Sequence, residues 1–143
     1  MAIAKFWNRL LHFARNDDLL YTKNMNPKKF HILSFKYAFE GIAAALKEEP
    51  NLKFHFLAGF IVLIAAYILK ISITDWMIII FLIGFVIAVE LTNTAIEAIV
   101  DEFTDKEHPG AKLAKDISAG AVLVAALTSA TIGLMIFLPY VSR

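Results

Sequence analysis

Glu90, Asn93, Glu97 and Asp101 stand at intervals of three, four and four residues, directly after an almost wholly apolar run over 76–89. At about 100° per residue they share an arc of roughly 80° on one helix face. Inserting a carboxylate into hydrocarbon costs at least about 2.5–3.5 kcal/mol, so three acids on one face need a role other than stability. Their chemistry suits metal, protons or phosphate. Glu90, deepest in the apolar run, is a candidate general base. Glu97 and Asp101 offer hard oxygens that suit Mg2+ beside phosphate. Asn93 also fits the common role of an interhelical hydrogen-bonder.

Two further groups bear on this stripe. Residues 111–116 open a helix, and Lys115 there can pair with a phosphate near the favourable end of the helix dipole. Lys112 reads as a membrane anchor, and Asp116 as a charge partner at the helix start. Glu48-Glu49-Pro50-Asn51 closes an earlier helix and matters chemically only if it meets Glu97 in space. His55 and His108 read as interfacial hydrogen-bonders rather than ligands.

The elements that must position these residues follow from hydropathy. Hydrophobic residues make up 59% of 143 and charged residues 19%, a balance suited to lipid. An amphipathic pattern over about 30–49 suits a helix lying in the membrane interface. Spanning helices are expected over about 53–71, 76–103 and 111–140, each long enough for a core of about 30 Å. The expectation is an all-α integral membrane protein. Residues 1–25 form an extension with amphipathic character, and 26–143 form the membrane domain.

Nine of the fourteen Lys and Arg precede Phe54, and three more lie in the polar segment 102–115. Both regions are therefore expected on the cytoplasmic side of the cell membrane. Glu90 then lies about 21 Å along its helix from Trp76, and Glu97 about 32 Å, at the boundary. The absence of cysteine excludes disulfides and thiol chemistry. No GxxxxGK[ST] loop occurs, and the scattered basic residues do not form a nucleic-acid footprint. A small ion or proton pathway is a rival reading, but the long apolar stretch before Glu90 argues against a pore. A three-helix chain on its own is expected to leave Glu90 partly facing lipid, which favours an oligomer.

Glu90-Leu91-Thr92-Asn93-Thr94-Ala95-Ile96-Glu97-Ala98-Ile99-Val100-Asp101, with Ala114-Lys115-Asp116 and Ala119-Gly120-Ala121-Val122 after it, resembles the prokaryotic diacylglycerol kinase family. These are small integral-membrane lipid kinases. The resemblance covers about residues 28–140. Within the family, residues 49–55 and 105–109 look more like the undecaprenol kinase branch of Gram-positive bacteria.

The resemblance implies a homotrimer with active sites at protomer boundaries, using ATP and Mg2+. It implies that Glu90 is the general base and that Glu49 and Glu97 hold the metal. Tyr37, Asp101, Lys106, Glu107, His108, Lys115 and Asp116, with Glu49 and Glu97, would lie on the nucleotide. Asn93 and Asn51 would join Glu90 at the lipid. Where the family carries an arginine before the surface helix, Lys28 and Lys29 stand here, and lysine lacks the bidentate fork. The implied reaction is phosphorylation of undecaprenol, with diacylglycerol as the alternative substrate.

Overall fold

The computed structural model describes residues 27–104 and 108–142, with side-chain surroundings from residue 35 onward. The described residues form four helices and no strand: α1 (Pro27–Glu48), α2 (Pro50–Ile68), α3 (Ile73–Phe103) and α4 (Pro109–Val141). The last three are long and apolar enough to cross a membrane, as expected. The proposed extension, residues 1–25, lies outside the described residues, as do Lys106 and Glu107.

Each spanning helix starts two or three residues earlier than its hydropathy indicates, and end-capping explains all three. Pro50 occupies the first turn of α2, where its missing N–H costs nothing and its fixed φ fits the helix. Ser72 caps α3 by accepting a hydrogen bond from the Asp75 N–H at 3.2 Å. His108 caps α4, its Nδ1 accepting from the Gly110 N–H at 3.1 Å. Pro109 and Gly110 thus belong to the helix rather than to the loop before it.

The chain divides into two units, Met1–Gly41 and Ile42–Arg143. In the first, the described part is α1 up to Gly41. Phe35 and Phe39 are exposed there beside a Lys36–Glu40 pair at 3.7 Å. In the second, α3 packs along α4 more extensively than along α2. Its apolar core gathers Ala66, Ile71 and Ile79, with Trp76, Phe137 and Tyr140 against them.

A polar clasp closes that end. The Tyr140 hydroxyl donates to Asp75 Oδ2 at 2.6 Å and accepts from the Ser72 N–H at 3.0 Å. Ser72 Oγ also donates to Asp75 at 2.7 Å. The clasp ties the end of α4 to the α2–α3 turn, so the helices are fixed at the end remote from the acid stripe.

Gly59 sets the approach of α2 to α3. A Cβ at this position would lie 2.9 Å from Ile83 Cγ2, a methyl on a β-branched side chain with little freedom to move. Gly59→Ala is therefore expected to destabilise the protein by about 1–3 kcal/mol through overpacking. At Gly84 a Cβ meets nothing within 4 Å. Gly84→Ala is expected to be neutral or to stabilise by up to about 1 kcal/mol, through helix propensity alone. Denaturation midpoints in the same detergent check the contrast, and equal shifts would contradict it.

Candidate active site

The corner between α1 and α2 places the first acid. A residue before proline is pushed toward extended backbone, and Glu49 has φ −97° and ψ 112°. It is the N-cap of α2, yet its side chain makes no capping bond, so the carboxylate is not consumed by the helix end. Lys53 Nζ donates to the Lys47 carbonyl at 2.9 Å, tying the end of α1 to the first turn of α2.

The stripe on α3 is graded in depth. Glu90 is 2% exposed and Asn93 6%, Glu97 is half-buried, and Asp101 is exposed. Asn93 Nδ2 donates to Glu97 Oε1 at 3.2 Å across one helical turn. A carboxylate only accepts, so this bond fixes which way the amide points. Asn93 Oδ1 is left buried with no partner. Glu90 likewise has no hydrogen bond to any described residue, and the carboxylates of Glu97 and Glu49 lie near enough to act on it.

Its burial corrects one sequence expectation. The three helices of a single chain already cover Glu90, so its exposure gives no reason for an oligomer.

Lys115, on α4, donates to both oxygens of Asp101 at 2.9 and 3.0 Å. Glu97 and Glu49 also act on its charge. The structure thus gathers Glu49, Glu90, Asn93, Glu97, Asp101 and Lys115 from three helices. Tyr37 is exposed and lies in the first unit. Asn51 is exposed on the first turn of α2, and Asp116 is exposed about two turns into α4. His108 serves as the α4 cap.

Among the described residues no three His, Asp or Glu converge as a ready-made metal cage. Glu49 and Glu97 fit a looser arrangement. Mg2+ is commonly held by one or two carboxylates together with substrate phosphates and water.

An apolar cavity of about 460 Å³ runs between α2, α3 and α4. Val86, one turn from Glu90 on the same face, lines it, and so does Gly133. Only His55 and Ser129 bring polar side chains to its wall, and Ser129 Oγ is buried without a partner. Neither the cavity nor the place of His55 in its wall is visible in the sequence. Both depend on which faces of α2 and α4 turn toward α3, and the small residues Gly59, Ser129 and Gly133 are the only trace.

These features define a membrane-spanning helical protein with a graded acid stripe on α3 and an apolar cavity between its three spanning helices. Residues 36–137 match the family model described as prokaryotic diacylglycerol kinase, and the chain belongs to that family. It is 52% identical over 106 residues to undecaprenol kinase of Bacillus subtilis, covering 74% of this chain and 86% of that one. It is 35% identical over 109 residues to a diacylglycerol kinase of Synechocystis, covering 76% of this chain and 62% of the relative. Against the Escherichia coli K12 diacylglycerol kinase the identity is 29% over 93 residues, covering 65% and 76%.

Proposed function

We propose that this protein is an ATP-dependent lipid kinase that converts undecaprenol to undecaprenyl phosphate at the cytoplasmic face of the cell membrane. The observation that carries the reading is the graded stripe, with Glu90 sealed from water and Glu97 and Asp101 progressively open to it. A lipid alcohol presents its hydroxyl where hydrocarbon gives way to water, and a triphosphate arrives from the aqueous side. The stripe spans that step. The similarity to an undecaprenol kinase supports the prenol as substrate, and the basic residues near the N-terminus and in 102–115 support the orientation.

In this mechanism the hydrocarbon chain lies in the cavity and the hydroxyl meets Glu90. Glu90 takes the hydroxyl proton as the oxygen attacks the γ-phosphorus of ATP, and the bond to the ADP leaving oxygen breaks. Once protonated, Glu90 becomes a donor, and Asn93 Oδ1, one turn along the same face, is an acceptor without a partner. Glu49 and Glu97 would hold Mg2+, which when bound neutralises charge on the phosphates. Lys115 and Asp101 face the nucleotide. Tyr37, Lys106, Glu107, His108 and Asp116 are assigned to it, and Asn51 to the lipid, from the family resemblance. The homotrimer rests on the same ground.

Diacylglycerol is the second reading, supported by the diacylglycerol kinases among the relatives. Turnover of undecaprenol and diacylglycerol in the same mixed micelles separates the two, and the prenol is expected to show the higher kcat/KM. A preference for diacylglycerol would replace the first reading with the second.

The cavity adds a chain-length prediction. A Cβ at Gly133 meets nothing within 4 Å, so Gly133→Leu should fill the cavity without forcing the backbone. It is expected to lower kcat/KM for undecaprenol by about tenfold, about 1.4 kcal/mol, while geraniol, which barely reaches this level, is spared. Equal losses with both alcohols would contradict that placement of the chain.

A further inference from the structure

We infer that the cavity is a chain-length gauge with a fixed floor at Ile79 and Phe137, which reads about the first three isoprene units of a prenol and none beyond them. This deepens the kinase reading and rests on it.

The cavity ends where the apolar core begins. Val62, Ile79, Ile83 and Phe137 line the cavity, and the same four side chains pack in or against the core that holds Ala66 and Ile71. Among the described residues, none closer to the α2–α3 turn than Val62, Ile79 or Phe137 lines it. Ile79 is fully buried, so the floor is closed. Tyr140, one turn beyond Phe137 on α4, pins this end. Its hydroxyl donates to Asp75 Oδ2 at 2.6 Å and accepts from the Ser72 N–H at 3.0 Å. The floor cannot slide outward to admit more chain without breaking both bonds.

The depth sets the length that is read. Ile79 stands eleven positions before Glu90 on α3, about 16 Å along the helix axis. An extended isoprene unit adds four chain bonds, about 5 Å when scaled from the three-bond step between trans Cα atoms. With its hydroxyl at Glu90, a farnesyl chain therefore ends at the floor.

Longer chains have one way out. Phe54 of α2 and Leu134 of α4 line the cavity and are also exposed, which leaves the side between those helices open. Helix α3 packs along both α2 and α4, whereas α2 and α4 scarcely meet. Units past the floor turn out through that opening into lipid. There they gain nothing, because a tail outside the cavity already lies in hydrocarbon. The gain inside comes from packing against the wall. Farnesol and every longer prenol are thus handled alike, and geraniol, which stops short of the floor, is not.

The test measures kcat/KM for geraniol, farnesol, geranylgeraniol and undecaprenol, each at the same mole fraction in mixed micelles, with wild type and Phe137→Ala. Wild type is expected to gain about tenfold from geraniol to farnesol, the low end of what an apolar pocket discriminates, and less than about twofold beyond it. Phe137→Ala lowers the floor by about one isoprene unit, so geranylgeraniol is expected to exceed farnesol by about tenfold in that variant. A steady rise from geraniol to undecaprenol in wild type would overturn the proposal. So would an equal loss with all the alcohols in Phe137→Ala, the result of a merely structural role.

A farnesol analogue with a diazirine on its terminal unit locates the chain without turnover. Irradiation is expected to label Val62, Ile79 or Phe137, and labelling confined to residues outside the cavity would overturn the gauge. If wild type phosphorylates no prenol, the kinase reading fails while the labelling still decides whether a chain reaches the floor. Gel-filtration profiles report folding. If Phe137→Ala does not fold, Phe137→Leu carries the same comparison with a smaller displacement of the step.

Discussion

Replacing Glu90 with glutamine is expected to lower the rate of phosphoryl transfer by about 10²–10⁴-fold, the usual contribution of a positioned general base, while nucleotide affinity stays unchanged. Glutamine keeps the shape of the side chain and removes only its ability to accept a proton. Burial makes the effect large. At 2% exposure, water does not reach the position to act as a substitute base. Asn93 next to it on the stripe is an amide, and Glu97 is already engaged by the Asn93 amide and lies nearly two turns away. Single-turnover transfer and nucleotide binding, measured on the same preparation, separate chemistry from folding. Loss of both together would mean that Glu90 supports the structure rather than the reaction. Transfer at the wild-type rate would remove it from the mechanism.

Glu97→Gln is expected to raise the Mg2+ concentration for half-maximal activity by at least about tenfold, about 1.4 kcal/mol. The substitution is informative because it separates two roles of one side chain. Asn93 Nδ2 donates to Glu97 Oε1 at 3.2 Å, and the glutamine carbonyl can still accept that bond. The Asn93 amide therefore keeps its orientation, and what disappears is the negative charge. Glu97→Ala removes both and is expected to fall further. A titration in which Glu97→Gln shows the wild-type Mg2+ dependence would take the metal away from this residue. The paired measurement on Glu49→Gln distinguishes a shared site from one held by Glu97 alone.

The stripe was legible in the sequence because a helix converts spacing directly into direction. Glu90, Asn93, Glu97 and Asp101 fall on one face whatever packs against it, and the structure adds only their gradation in depth. The meeting of Asp101 with Lys115 was also within reach, since a short connection brings the end of one long helix beside the start of the next.

The starts of the spanning helices were read two or three residues late. Hydropathy reports the apolar span, whereas Ser72, His108 and the prolines at 50 and 109 start each helix in the polar margin. The place of His55 in the cavity wall was hidden for a different reason. It lies on α2, and sequence spacing within α2 carries no information about which of its faces turns toward α3. The expectation that Glu90 faces lipid failed on the same point, because shielding by neighbouring helices is a tertiary property. Gly59 and Gly133 show how little signal that property leaves. One admits a close helix approach and the other opens a cavity, yet in sequence both are single glycines in an apolar run.

The most direct measurement uses the purified protein alone, with ATP radiolabelled on its γ-phosphate and undecaprenol in mixed micelles. The expected result is a labelled lipid in the organic phase, formed with one ADP for each lipid phosphorylated and abolished by chelating Mg2+. Release of labelled inorganic phosphate with no labelled lipid, or no turnover of ATP with any lipid alcohol offered, would contradict a site built to bring a membrane hydroxyl to a triphosphate.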